Sequence, residues 1–120
     1  MAGLAAAFGS GAMTNSIAEI EDAGCIFVIG SNTTACHPLV ARRILRAKDK
    51  GARLIVADPR NIHLARFADI AVNHRLGSDV ALLNGMMHII IKNGWHVKDY
   101  ITRRTEDYEA LEKTVNAYTP

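Results

Sequence analysis

The sequence predicts an α/β chain: a three-layer, Rossmann-like βαβ arrangement with a parallel sheet of about three strands, 25–29, 53–57 and 70–73, and helices on both faces. Three observations predict it. CIFVI (25–29) and RLIVA (53–57) are short apolar runs without polar alternation, the pattern of parallel strands covered on both sides. Between them lies a segment of helical spacing that opens at Pro38 and stops at Gly51, where a helix C-terminus favours glycine. Small polar turns follow the strands, so the strand exits share one sheet edge, and the crossover between parallel strands is right-handed.

In chain order, residues 1–15 are rich in Gly and Ala and read as a loop capped by Asn15 or Ser16. FGSGAMTNS carries a lone G-x-G with no strand before it, the wrong context for a dinucleotide fingerprint. A short helix over 16–22 follows with Ile17 and Ile20 inward, then the first strand, ended by Gly30. The helix over 38–50 buries Val40, Ala41, Ile44, Leu45 and Ala47 at helical spacing. After the second strand, Asp58-Pro59-Arg60 leads into a short helix over 61–67 and the third strand. The helix over 79–93 is apolar well beyond one stripe, which predicts burial by more than one neighbour. Gly94 ends it, and helices over 97–103 and 106–115 close the chain, the last opening at Thr105 with Tyr108, Leu111 and Val115 facing in. No strand comes before the first residues and none follows Tyr118-Thr119-Pro120, so the chain reads as a piece of a larger protein.

A chain of 120 residues with 49% hydrophobic content supports one domain, or part of one, with a real core. No run reaches the eighteen or so apolar residues of a membrane span, so no direct membrane insertion is expected. The apolar start lacks a basic flank, so the expectation is a soluble, cytoplasmic protein. The net charge of +2 hides an uneven distribution: residues 1–37 hold three acids and no Lys or Arg, whereas residues 38–66 hold eight basic and two acidic side chains. Arg42, Arg43, Arg46, Lys48 and Lys50 spread around their helix, the pattern of a solvated face, and no aromatic residue interleaves them; no nucleic-acid partner is expected. Cys25 and Cys36 form neither a disulfide framework nor a C-x-x-C knuckle and read as reduced thiols.

Three turns are candidates for ligand chemistry: Gly30 to His37, Asp58 to Arg60, and Gly77 to Asp79. Turn amides with an Asn or Ser hold phosphates, a carboxylate accepts from ribose hydroxyls or a guanine edge, and an Arg pairs with phosphate. The structural alternative is that Asp58 caps the following helix, Arg60 is solvated and Gly77 serves its turn. Cys36-His37 invites a thiol–imidazole dyad, but neighbours in a turn diverge and no third orienting residue is evident. His63, His74, His88 and His96 lack metal-ligand spacing, and no carboxylate pair suggests general acid and base. The residues display a binding site and no reaction centre.

The run GSGAMTNSIAEIEDAGCIFVIGSNTTACHP, then GARLIVADPRNIHLARFAD, LGSDVALLNGMMHIIIKNG and RTEDYEALEKTV followed by YTP resembles the alpha (catalytic) subunit of molybdenum- or tungsten-dependent formate dehydrogenases, molybdopterin oxidoreductases of the dimethyl sulfoxide reductase type. The likeness covers essentially the whole chain. It implies a partial molybdopterin-guanine-dinucleotide-binding α/β domain, residues 1–120, holding one guanine-dinucleotide arm of a bis-molybdopterin guanine dinucleotide with Mo or W. It further implies that Gly30, Asn32, Thr33, Thr34, Ala35, Cys36, Asp58, Pro59, Arg60, Gly77, Ser78 and Asp79 contact that cofactor. Ala35 departs from relatives that carry an acid there.

The family's cysteines for a [4Fe–4S] cluster, its Cys or selenocysteine metal ligand and its active-site Arg have no counterpart in these residues. The resemblance therefore implies that this piece binds neither the metal nor the cluster and is inactive alone, while its parent oxidises formate to carbon dioxide and passes electrons to iron–sulfur clusters. The partners implied are the parent subunit's remaining domains and iron–sulfur electron-transfer subunits, with self-association of the piece through exposed apolar helix. Another molybdopterin oxidoreductase such as a nitrate reductase, or a non-catalytic molybdopterin-like subunit of a respiratory complex, is the alternative.

Overall fold

The computed structural model describes residues 2–9 and 11–119. Met1, Ser10 and Pro120, on which parts of the expected N-terminal loop and of the closing Tyr-Thr-Pro fall, lie outside the described residues. The chain divides into two compact units, one running to Asn73 and the other starting at His74.

The first unit is built on three parallel strands in the order β1-β2-β3: β1 Cys25–Ile29, β2 Arg53–Ala57 and β3 Ile70–Val72. β1 and β2 have the expected bounds. β3 ends one residue early because Asn73 leaves the ladder and gives its side-chain amide to the carbonyl of Asp58 (2.9 Å). Ile29, Ala57 and Val72 are register partners, so the residues after them leave from one edge. Two further bonds extend the ladder there: the Gly30 N–H donates to Ala57 (2.9 Å) and the Asp58 N–H to Val72 (3.1 Å). Gly30 turns away at φ +59°, a left-handed conformation that a Cβ disfavours.

Register puts Ile26, Val28, Leu54 and Val56 on one sheet face. They pack with Ile44 of helix α3 (Pro38–Asp49) and with Ile62 and Leu64 into the core. On the opposite face Phe27, Ile29, Ile55 and Val72 are half-buried, and Ile70 is 54% exposed. α3 starts with Pro38 in its first turn, as expected, and buries Ala41, Ile44 and Ala47, with Gly51 at φ +103° just beyond it.

Several elements depart from the sequence expectation, each for a local reason. Residues 2–8 form helix α1, Ala2–Phe8, closed by Gly9 at φ +72°; the alanines that suggested a loop are the strongest helix formers. The 16–22 helix is a 3-10 helix over Ala18–Asp22 with no side-chain cap from Asn15 or Ser16. There the Glu19 carboxylate accepts from the Ser16 N–H (2.6 Å), while Ile17 is exposed and only Ile20 packs on the core. Within the polar turn, Thr33–Cys36 closes one α-helical turn, α2, because the Ala35 and Cys36 N–H groups both reach Asn32 O at 3.0 Å. The 61–67 helix is a 3-10 helix over His63–Phe67.

Charge ties the first unit together where the sequence suggested only a solvated basic face. Glu21 receives Arg43 (2.8 Å), Arg46 (3.2 Å) and Lys50 (3.7 Å), joining the 3-10 turn to α3. The Arg46 hydrogen bond, with the fields of all three cations, holds the Glu21 carboxyl below its usual range. Asp69 accepts from the Leu54 N–H (2.8 Å) and Lys48 (2.9 Å). The Leu54 amide first, then Lys48, lowers its pKa to about 2.

The second unit contains α4 (Asp79–Lys92), α5 (Lys98–Arg104) and α6 (Tyr108–Val115). α6 starts at Tyr108, not at 106, because Asp107 takes a left-handed conformation at φ +55°. Val115 is fully buried, but Leu111 is 44% exposed and does not face in. α4 packs on α6, yet none of its residues is fully buried, contrary to the burial its composition predicted. Val80, Leu83, Ile89 and Ile90 are exposed.

Candidate functional site

Two of the three predicted turns meet in the first unit. Asn32, Thr34 and Ala35 of the β1–α3 connection and Arg60 after β2 line one open cleft of about 490 Å³, together with Asn61, Ile62 and His63. The β1–α3 connection is braced internally. Thr33 is buried and its hydroxyl lies 3.1 Å from that of Ser31, while the Thr34 hydroxyl donates to Asn32 Oδ1 (3.2 Å). That bond occupies the carbonyl end of the Asn32 amide and leaves its N–H donors for a ligand. Cys36 and Pro38 are exposed, and Cys36 is a free thiol.

Asp58 is the buried anchor of the site, 2% exposed. It does not cap the following helix, whose N-cap is Ile62 without a side-chain bond. Asp58 Oδ1 accepts from the Arg60 backbone N–H (2.8 Å) and Nε (3.1 Å), and Oδ2 accepts from Nη2 (3.2 Å). Pro59 sits at the corner between them with its φ fixed by its ring. Hydrogen bonding to Asp58, reinforced by its charge, raises the Arg60 pKa above the ordinary guanidinium value. The Arg60 side chain is nevertheless 66% exposed. It is a cation oriented from below by a buried carboxylate, with donors remaining toward the cleft.

The sequence did not single out Asn73, Asn61 or His63. Asn73 donates to Asp58 O and, at 3.4 Å, to Arg60 O, pinning the Asp58-Pro59-Arg60 turn to the end of β3. Its one sequence signal is its place directly after the third apolar run. His63 reaches the cleft through the 3-10 helix, which no periodicity announces.

The third turn belongs to the second unit. Gly77 takes φ +77°, the Ser78 hydroxyl donates to Arg75 O (2.6 Å), and Asp79 opens α4. His74, whose side chain is 5% exposed, bonds the Asp79 carboxylate through Nε2 at 3.0 Å. The Cys36-His37 dyad has no support in the bonds formed: the His37 N–H donates to Thr33 O in the α2 backbone, and among the described residues no hydrogen bond joins the two side chains.

A family model for molybdopterin oxidoreductases matches residues 3–113. The chain belongs to the molybdopterin oxidoreductase family. It is 52% identical over 118 residues to the F420-dependent formate dehydrogenase 1 subunit alpha of Methanococcus maripaludis, an alignment that covers 98% of this chain and 18% of that protein. It is 44% identical over 120 residues to formate dehydrogenase H of Escherichia coli, covering all of this chain and 17% of that protein. Among solved structures, acetylene hydratase from Pelobacter acetylenicus superposes with a TM-score of 0.74 at 26% identity, over 86% of this chain and 16% of that one. The chain therefore spans less than a fifth of the length of each of these three proteins.

The family implies a molybdopterin cofactor carrying molybdenum or tungsten. The first unit fits the anionic part of such a group: an oriented guanidinium, free amide donors and an open cleft at the carboxyl edge of a parallel sheet. Among the described residues no group of three or more His, Cys, Asp or Glu is arranged to hold a metal ion.

Proposed function

We propose that this chain is the part of a formate dehydrogenase catalytic subunit that holds one guanine-dinucleotide arm of a bis-molybdopterin guanine dinucleotide. The observation that carries the reading is the Asp58–Arg60 fork facing Asn32 and Thr34 across one cleft. In that cleft Arg60 binds phosphate oxygens, the Asn32 amide donates to the ligand, and Asp58 holds the guanidinium plane in place. Gly77, Ser78 and Asp79 of the second unit are likewise assigned to contacts with the cofactor in the parent. Identity above 40% to two formate dehydrogenases supports the substrate class.

The cofactor, when bound, supplies the redox chemistry; these residues bind and orient it. Metal ligands and the cysteines of the [4Fe–4S] cluster come from other parts of the parent subunit, so the 120-residue chain alone does not oxidise formate. The parent passes electrons to iron–sulfur subunits and works in the cytoplasm. The gene's flanking reading frame checks this assignment: a cysteine cluster and a Cys or selenocysteine followed by His should be encoded upstream, and their absence overturns it.

Binding is tested with guanosine diphosphate. The wild-type chain should bind it, and the Asp58→Ala, Arg60→Ala double variant should bind at least about tenfold more weakly, the scale of one or two charge-assisted hydrogen bonds. Equal binding by the two proteins sinks the nucleotide reading.

A further inference from the structure

The Asp58–Arg60 fork poses an electrostatic problem. A diphosphate carries two or more negative charges, whereas a buried carboxylate bonded to one guanidinium through both oxygens is neutral overall. Such a pair positions hydrogen-bond donors but adds little net attraction for a polyanion. A diphosphate ligand therefore needs a second cation on the same path.

The molecule offers one. Thr34 and His63, which line the first cleft, also line a second cleft of about 510 Å³ along α3, past Pro38, Arg42 and Arg46. The two clefts thus meet at a shared wall. Arg46 already shares Glu21 with Arg43 and Lys50. Arg42 is exposed and forms no ion pair among the described residues, so its charge is unspent. His63, on the wall the two clefts share, is exposed, its ring held edge-to-face by Phe67 at 5.3 Å and 66°. Asp49 is the one acid among the described residues that line the second cleft.

We propose that the nucleotide site does not end at Arg60 but crosses the Thr34–His63 wall, with His63 donating to the diphosphate and Arg42 supplying the charge that the Asp58–Arg60 pair lacks. This rests on the nucleotide reading above and extends it to Arg42, which the sequence assigned to a solvated helix face, and to His63, which it gave no binding role. Both are ligand-binding residues. An imidazole N–H at the wall and a guanidinium beyond it give the two ends of the diphosphate separate donors.

The test uses the full chain, isotope-labelled, titrated with inorganic pyrophosphate and with guanosine diphosphate while the His63 ring and the Arg42 and Arg60 guanidinium signals are followed. Both ligands should shift all three. His63→Gln and Arg42→Gln should each weaken guanosine diphosphate binding about threefold or more with unchanged melting, and Arg42→Gln should also flatten the dependence of affinity on salt, which a packing role would not do. If Arg60→Gln weakens binding while both other variants bind as wild type, the ligand stops at the wall and the extension is wrong, with the Arg60 site intact. If neither ligand shifts any of the three signals, the extension and the nucleotide reading fall together.

Discussion

Asp58 has a structural role and, on the proposed reading, also positions the ligand-binding Arg60. Its carboxylate is buried, yet it is satisfied by the backbone and side chain of Arg60, two residues on. Removing it strands the Arg60 amide, and Asp58→Ala should cost about 1–3 kcal/mol in urea denaturation. Arg60→Gln, which keeps the backbone bond, should cost less stability while losing ligand affinity. The contrast between the two separates folding from binding. Asp69 makes a different prediction. Its folded pKa of about 2 lies below the unfolded value near 4, so its contribution is present above about pH 4. That contribution is lost as pH falls from there through about 2. Acid titration of stability should therefore show a loss in that window that Asp69→Asn abolishes. The site was partly legible at this scale. Asp-Pro-Arg directly after an apolar run announced a loaded strand exit, whereas Asn73 and His63 could not be read. Their roles depend on which residue of β3 lies beside Asp58 and on how a 3-10 turn folds back.

At the level of elements, the strands were the most readable because runs of three to five apolar residues bounded by glycine and polar turns have few alternatives. Helix type was less readable: His63–Phe67 adopts 3-10 geometry through tertiary contacts, and its residues carry no distinguishing period. The Ala-rich start was misread because composition pointed to a loop while intrinsic propensity favoured a helix. Packing energetics follow from the core that β2 shares with its neighbours. Leu64 is fully buried, and Leu64→Ala should cost about 2–5 kcal/mol, whereas Leu39→Ala, at a position 74% exposed on α3, should be near neutral. Thermal or denaturant melts of the two variants check this directly.

For the whole molecule, burial is concentrated in the first unit. Among the described residues, nine of the ten buried apolar ones precede His74, and Val115 is the exception. Hydrogen exchange should be slowest at Leu54–Val56 and fast through α5, which has no buried residue. Comparable protection in α5 and β2 would contradict this picture. Exposed Val80, Leu83, Ile89 and Ile90 on α4 make self-association the expected behaviour of the isolated chain, read as a concentration-dependent sedimentation coefficient.

β1 adds a second consequence. It is an outer strand of the sheet, and its five residues include no charge and no proline to discourage another strand from joining it. Any extended segment that meets this rail in a crowded solution finds a ready template, so the isolated polypeptide should survive by dilution. Its practical lifetime should be governed by seeding: stored solutions should hold clear for a lag period and then cloud abruptly, and a Lys placed at Phe27 should lengthen that lag.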